Sequence, residues 1–225
     1  MQDYRRSLRA VGTALIAFGL LDIAFMVYCI ATVRSYWSSF NIFAVIAGIY
    51  LRRGNLRGAR VVALFSAFYL SGFVGVLVIT PLIVPSALIT LTVRLYPFLM
   101  VGSLLLVVGV LAFLAWVYRR LTAPAILAAM DREHINCRRL HRRPSLGFVV
   151  GGLLALLLLI LLRAAFAGED AARARSEARG QLGPGYKYWV SSLSTHFAGG
   201  QTTVDATVIA YSSREVREVK VKWKQ

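Results

Sequence analysis

"VGTALIAFGLLDIAFMVYCIATV", residues 11–33, is an apolar run of 23 residues with a single charged side chain, Asp22. A helix rises about 1.5 Å per residue, so the run is long enough to cross the roughly 30 Å hydrocarbon core of a bilayer. A secretory signal has a shorter apolar core followed by a small-residue cleavage site. The run therefore predicts a first membrane-spanning helix that stays attached to the chain.

The rest of the chain repeats this pattern. Of its 225 residues, 58% are hydrophobic, and the mean hydropathy is +0.65. Further apolar blocks occupy about residues 36–51, 61–80, 97–118 and 146–162. The first of these is short and reaches span length only with Tyr36 and Trp37 at its interfacial edge. We therefore predict an all-α polytopic membrane protein with about five transmembrane helices in residues 1–163.

Residues 81–96 separate the third and fourth predicted spans. Pro81 and Pro85 are expected to break the third helix, because proline lacks a backbone N–H and clashes with the preceding turn. The segment carries one charge, Arg94. Its composition fits either a re-entrant or an interfacial segment, and both alternatives stay open.

Arginine is concentrated on alternate sides of the predicted spans. The net charge is +16, with three Arg in the first ten residues, four in residues 51–60 and seven in residues 119–145. The intervening loops carry one Arg each. Because cytoplasmic loops are rich in Lys and Arg, the pattern predicts a cytoplasmic N-terminus and an extracytoplasmic C-terminus. The strong preference for Arg over Lys is typical of GC-rich bacteria, so we expect the bacterial inner membrane.

Eight loop arginines are candidates for fixing the topology or for contacting lipid headgroups. They are Arg52, Arg53, Arg57, Arg60, Arg138, Arg139, Arg142 and Arg143. Nucleic-acid binding is not expected, because the basic residues do not form a stripe interleaved with aromatic residues. The lipid bilayer is therefore the expected partner of this charge.

Asp22 lies at the middle of the first predicted span, where a charged carboxylate costs about 2.5–3.5 kcal/mol on insertion scales. Gly19, one turn away, would allow a neighbouring helix to approach. Counting residues from the cytoplasmic side places three hydroxyl groups of the third span near this depth. They belong to Ser66, Tyr69 and Ser71.

Two hypotheses follow for this intramembrane polar site. In the favoured one, a protonated Asp22 is hydrogen-bonded to one of the hydroxyl groups and clamps two helices together. In the other, Asp22 binds a proton or a cation in a small transporter component. A second acid, His or Lys at the same depth would favour transport, and the sequence supplies none.

Several glycines of the predicted spans are candidates for close helix packing, because small residues let helix backbones approach each other. They are Gly19, Gly102, Gly109, Gly147 and Gly151. The packing could lie within the chain or in a dimer, although nothing in the sequence supports a homo-oligomer.

The basic loop "HINCRRLH" contains His134, Cys137 and His141 at helical spacing. A structural zinc site normally needs four ligands, and the surrounding arginines oppose a cation. We therefore expect no metal site and no cofactor, and we interpret the segment as a basic cytoplasmic loop. No nucleophile–base pair can be assembled from the spans, so an enzyme is not expected.

Residues 164–225 form a different kind of segment, which we predict to be an extracytoplasmic helix followed by an antiparallel β-meander. The fifth helix is expected to continue for several turns beyond the membrane and to end at "LGPGY", residues 182–186. Three strands are expected in residues 186–223, with "AGGQ" as a hairpin turn and a bulge near Arg217.

This β tail is too small to be stable alone, so it must pack on the preceding helix, the membrane surface or a partner. Trp189, Trp223 and the lysines of the last strand could rest on the membrane surface, or an open strand edge could accept a partner. A packed appendage with a solvated basic face is a third alternative.

The sequence thus favours an integral membrane protein that acts as a non-enzymatic accessory, assembly or interaction protein through its C-terminal tail. The alternative is a small proton- or cation-coupled transporter component that uses Asp22.

Overall fold

The computed structural model describes residues 2–32, 41–133, 145–198, 201–212 and 215–224. The described residues are mostly helical and end in a small antiparallel sheet, as the sequence predicts. The helices are α1 (Gln2–Ala31), α2 (Asn41–Arg52), α3 (Leu56–Ile83), α4 (Ser86–Leu95), α5 (Pro97–Leu121), α6 (Pro124–Arg132), α7 (Ser145–Ala167) and α8 (Glu169–Leu182). The strands are β1 (Lys187–Ala198), β2 (Gln201–Tyr211) and β3 (Val216–Lys224).

Among the described residues, four helices are long and apolar enough to cross a membrane. The qualifying segments are Tyr4–Ala31, Leu56–Ile83, Pro97–Leu121 and Leu146–Ala167. The second predicted span, residues 36–51, is represented by α2, which has 12 residues and is only about 18 Å long. Residues 36–40 of that prediction lie outside the described residues. The structure therefore supplies four full-length candidates rather than about five.

Two helix boundaries differ from the sequence predictions. Pro81 does not break α3, which continues to Ile83. Its missing N–H falls in the last turn, and the Val84 N–H still donates to the Thr80 carbonyl at 2.9 Å. The helix after the last span is not continuous either, because Gly168 adopts an extended conformation with ψ 172° and separates α7 from α8.

The described chain divides into two compact units, and the first comprises Met1–Phe73 and Val108–Gly152. Its core joins the first turns of α1 and α3 to the last turns of α2 and α5 and to α6. The buried residues are Leu8, Val11, Leu15, Leu51, Leu56, Ala59, Ala63, Val117, Leu121, Ile126 and Met130. The ring of Phe18 on α1 also stacks on Phe113 of α5, with centroids 5.0 Å apart.

A tight turn joins α2 to α3. Gly54 has a positive φ of 79°, a conformation that glycine adopts without steric cost. The Asn55 side chain then caps α3 by accepting a hydrogen bond from the Gly58 N–H at 3.1 Å. The turn is confined to residues 53–55, and Arg57 and Arg60 lie in the first turns of α3.

The second unit comprises Val74–Val107 and Leu153–Gln225. Its sheet has the order β1-β2-β3, with antiparallel pairing throughout. The irregularity lies at Ser191 of β1, and β3 pairs regularly from Val216 to Lys224, so the bulge predicted near Arg217 is wrong. The predicted domain boundary near residue 163 falls inside α7 and stays a prediction.

Val216 is out of step with the other apolar residues of β3 because it serves the opposite face of the sheet. Val219, Val221 and Trp223 pack toward α8 through a stripe of fully buried alanines, Ala171, Ala174 and Ala178. Val216 instead joins Tyr211 in a separate cluster against α4. Both faces of the sheet are therefore partly covered, one by α8 and the other by α4.

Candidate functional site

The residues of the predicted intramembrane polar site all belong to the first unit. Asp22 is partly buried on α1. On α3, Ser66 is buried with 5% of its surface exposed, and Tyr69 and Ser71 are partly buried. The pairing of Asp22 with one of these hydroxyl groups stays a prediction.

Ser71 lies at the contact between α3 and α7. Its hydroxyl donates to the Phe68 carbonyl at 3.0 Å and lies 3.5 Å from the Gly147 carbonyl oxygen. A Cβ built on Gly147 would stand 2.8 Å from the Leu64 carbonyl oxygen, and one on Gly151 would stand 2.6 Å from the Phe68 carbonyl oxygen. Both glycines therefore lie directly against the α3 backbone.

The other predicted packing glycines have different surroundings. Gly19 is buried on α1. A Cβ built on Gly102 or Gly109 of α5 would meet no atom of the described chain within 4 Å. The sequence analysis missed Gly12 and Gly48, whose backbones touch where α1 packs on α2. Both are single small residues within apolar helices, and that signal could have identified them.

Of the eight arginines assigned to topology or headgroups, four lie in the turn between α2 and α3 or in the helix ends beside it. Arg52, Arg53 and Arg57 are exposed and Arg60 is partly exposed. The other four, in residues 138–143, lie outside the described residues, as do His134, Cys137 and His141. In the part of the chain that the structure describes, no group of three His, Cys, Asp or Glu residues could hold a metal ion.

The face of the sheet that meets α4 has an apolar end and a basic end. At the apolar end, Leu88 and Leu91 of α4 pack with Tyr211, and Trp189, Ile209 and Val216 surround them. Beyond this cluster the register places Lys220 opposite Thr207, Lys222 opposite Asp205 and Lys224 opposite Thr203. These three lysines are exposed, and we call this region the lysine face.

The lysine face also carries two carboxylates: Asp205, and the exposed Glu218, which pairs with Ile209 and precedes Lys220 on the same side of β3. Lys222 forms a salt bridge with Asp205, with Nζ 3.4 Å from Oδ1. Ser192 and Ser194 of β1 pair with Thr207 and Asp205, so β2 separates their hydroxyl groups from the lysines. The result is a polar surface with three lysines and two carboxylates, opposite the face that α8 covers.

Trp223 does not belong to this surface. It is 7% exposed and lies in the core under α8, with the Arg173 guanidinium 5.5 Å from its ring centroid. Its Nε1 is buried without a hydrogen-bond partner among the described residues. Of the two tryptophans considered as interfacial anchors, Trp189 therefore lies on the face that meets α4, and Trp223 does not.

A polar cluster joins the start of β1 to the turn before β3. The Tyr186 hydroxyl donates to the Glu215 carboxylate, and Arg217 forms a salt bridge with the same carboxylate at 3.1 Å. The hydrogen bond from Tyr186, followed by that from Arg217, lowers the pKa of Glu215. The same bond between the phenol and the carboxylate raises the pKa of Tyr186. The cluster therefore links the residue before β1 to the residues at the start of β3.

Both edges of the sheet carry features that disfavour strand addition. The β1 edge is interrupted by the bulge at Ser191, whose hydroxyl donates to the Thr207 carbonyl at 3.0 Å. The β3 edge carries three lysines. Bulges and edge lysines are common protections against pairing with another strand. Recognition by a face or by the hairpin tip is therefore favoured over an added strand.

No family model, curated protein or solved structure matches this chain.

Proposed function

We propose that this chain is an integral protein of the bacterial inner membrane, and that it works as a non-enzymatic accessory protein through its C-terminal module, α8 with β1–β3. The observation that carries the proposal is the packing of this module in the second unit. Helix α8 covers one face of the sheet, and α4, which connects two apolar helices, covers one end of the other face. The module is thereby attached to the membrane part, and the lysine face and Phe197 near the end of β1 stay exposed.

The membrane assignment is supported by the four long apolar helices. The orientation is supported by the core of the first unit, which collects the starts of α1 and α3 and the ends of α2 and α5. All four of these helix ends carry arginine. Since arginine-rich ends stay in the cytoplasm, α1 begins there and α3 begins there as well.

Helix α2 brings the chain back between these two points. Arg52, at its end, lies against Gly12 near the start of α1. Helix α2 is thus the described part of the return crossing, and α3, α5 and α7 complete five passes. The C-terminal module then lies outside the cytoplasm, on the same side as α4.

Reporter fusions test this orientation. An alkaline phosphatase fusion after Lys224 is expected to be active, because this enzyme folds outside the cytoplasm, whereas a fusion after Arg53 is expected to be inactive. Active fusions at both points would contradict the proposal. Release of the full chain from membranes by alkaline carbonate would refute the membrane assignment itself.

A partner protein is expected at the hairpin tip. Phe197, at the end of β1, is 81% exposed, and among the described residues of the module it is the one large apolar side chain that is exposed. A photo-cross-linking amino acid at position 197 should give a discrete protein adduct in cells. The matched control is Leu106, 70% exposed on α5, where lipid contact is expected. The same adducts from both positions would contradict a specific contact, and an adduct of twice the chain mass would identify a second copy as the partner.

A further inference from the structure

The position of α4 determines which face of the sheet is turned toward the bilayer. Helix α4 has ten residues and is connected to α3 by Val84 and Pro85 and to α5 by Tyr96. If α3 and α5 cross the membrane, these short connections hold α4 at the membrane surface. The inference below therefore rests on the membrane assignment of the proposed function.

The two sides of α4 have different surroundings. Leu88 and Leu91 are buried against the sheet. On the opposite side, Val93 is 47% exposed, and the Thr90 hydroxyl donates to the Ser86 carbonyl at 3.0 Å. That side therefore presents an apolar side chain, a hydroxyl that its own helix already satisfies and the exposed Ser86, with the exposed Arg94 at its border. Such a surface is compatible with lipid, so α4 has the sheet on one side and the bilayer on the other.

The lysine face continues the same side of the sheet beyond α4. Residues two apart on a strand point to one face and lie about 6.8 Å from each other. Lys220, Lys222 and Lys224 therefore form a row about 14 Å long, and Glu218 lies on the same side between this row and the cluster that meets α4. Helix α8 lies on the opposite face, away from this row.

The dimensions allow the lysines to reach the headgroups. A helix about 10 Å wide separates the sheet from the acyl chains, and the headgroup layer of one leaflet is about 5–7 Å thick. A lysine side chain has to bridge only the few remaining ångströms, and its ammonium group at the end of a flexible stem is suited to phosphate. The hydroxyl groups of Ser192 and Ser194, which β2 separates from the row, add hydrogen-bonding capacity on the same side of the sheet.

We propose that the lysine face rests on the anionic phospholipid headgroups of the leaflet in which α4 lies. This contact fixes the module flat on the membrane surface, with α8 facing away from the membrane and the hairpin tip directed along it. Anionic lipid is the occupant, because the row is cationic, continues the surface that meets α4 and belongs to a sheet whose edges are protected.

The experiment uses the full chain in lipid nanodiscs, with Cys29 and Cys137 replaced by serine and one fluorophore attached through Ser194→Cys. The lipid is phosphatidylcholine with or without phosphatidylglycerol, and each disc includes a lipid that carries a nitroxide quencher on its headgroup. The matched position is Ser176→Cys, on the exposed side of α8. We expect a loss of fluorescence at position 194 that increases with phosphatidylglycerol and decreases with salt, and little loss at position 176.

A charge-matched pair of variants isolates the lysines. Lys220→Gln with Lys224→Gln keeps the salt bridge between Lys222 and Asp205 and should abolish the extra quenching that phosphatidylglycerol causes. Arg175→Gln with Arg179→Gln removes the same charge from α8 and should leave the quenching unchanged.

Three outcomes overturn the inference alone. The first is an inserted chain with no quenching at position 194, and the second is quenching that is equal in neutral and anionic lipid. The third is stronger quenching at position 176, because the module would then be inverted. A chain that alkaline carbonate extracts from membranes refutes the proposed function together with this inference, and the two failures are thereby distinguished.

Discussion

Gly12 and Gly48 bring the backbones of α1 and α2 into direct contact. A Cβ built on either glycine would stand 2.6 Å from the carbonyl oxygen of the other, which is closer than atoms can approach without displacement. A Cβ on Gly48 would also stand 2.6 Å from Cγ1 of Ile16. The helix pair thus depends on the absence of side chains at these two positions, as small residues commonly allow in membrane helices.

Gly48→Ala should therefore destabilise the chain. Because the backbone of α1 must move to accept the methyl group, we expect a loss of about 1–3 kcal/mol in the free energy of unfolding. Unfolding of the detergent-solubilised protein by a stronger detergent measures this value. The control is Gly109→Ala on α5, where a Cβ meets no described atom within 4 Å and should be neutral or slightly stabilising. Equal effects at both positions would contradict the packing argument.

The C-terminal module should lose stability in acid because of Glu215. The hydrogen bond from Tyr186 and the contact with Arg217 lower the pKa of this carboxyl group in the folded state. A group with a lowered pKa stabilises the fold above its unfolded pKa, about 4.3 for Glu, and this contribution is lost as the pH falls through the folded value. Amide exchange of β1 and β3, measured as a function of pH, should show the loss.

Tyr186→Phe should flatten this acid dependence, since it removes the first cause of the lowered pKa. At high pH the dependence of stability on pH has the opposite sign. Because the pKa of Tyr186 is raised in the fold, this residue stabilises the fold below about pH 10, and the stabilisation is lost as the pH rises through the folded pKa. Tyr188→Phe is the matched control. The Tyr188 hydroxyl donates to the Gly183 carbonyl at 2.5 Å, so its loss should lower stability without changing the acid slope.

Leu91→Ala should loosen the module from α4. Leu91 is buried in the cluster with Leu88 and Tyr211, and a buried Leu→Ala change costs about 2–5 kcal/mol. Faster amide exchange is expected at Ile209 and Tyr211, where β2 meets α4. Val93→Ala, on the other side of the same helix, should leave this exchange unchanged. If both variants accelerate exchange equally, α4 does not act through its buried side.

The sequence predicted the parts of the fold that depend on local pattern. Apolar length identified the long helices, and alternation in β3 identified Val219, Val221 and Trp223 as its buried side. It failed where a tertiary contact decides the outcome. Val216 was interpreted as a sign of a bulge. It lies on its side of the strand because it packs in the cluster with α4, and that cluster joins residues more than a hundred positions apart.

The site was predicted less completely than the fold. The three lysines were recognised as a charged face of β3. However, the alternation of residues along a strand cannot show whether that face is turned toward the membrane. Only the packing of α4 gives the lysine face a direction. The sequence left this segment open between a re-entrant and an interfacial position. Gly168 was similarly missed as a helix break, since a single glycine in an alanine-rich stretch is compatible with a continuous helix.

Asp22 offers the sharpest test of the polar clamp against the transport alternative. Asparagine preserves the hydrogen-bonding shape of a protonated Asp22, so Asp22→Asn should keep the free energy of unfolding nearly unchanged if the residue clamps two helices. Asp22→Leu should then lose about 0.6–1.7 kcal/mol, the range measured for polar contacts between membrane helices. Unfolding in detergent compares the two variants, and equal stability would contradict the clamp.

The transport alternative needs a separate test, because Asp22→Asn removes the ionisable proton. A pH-sensitive dye inside proteoliposomes would report proton movement by the native chain and its loss in this variant, and an absence of movement in both would leave the clamp as the role of Asp22.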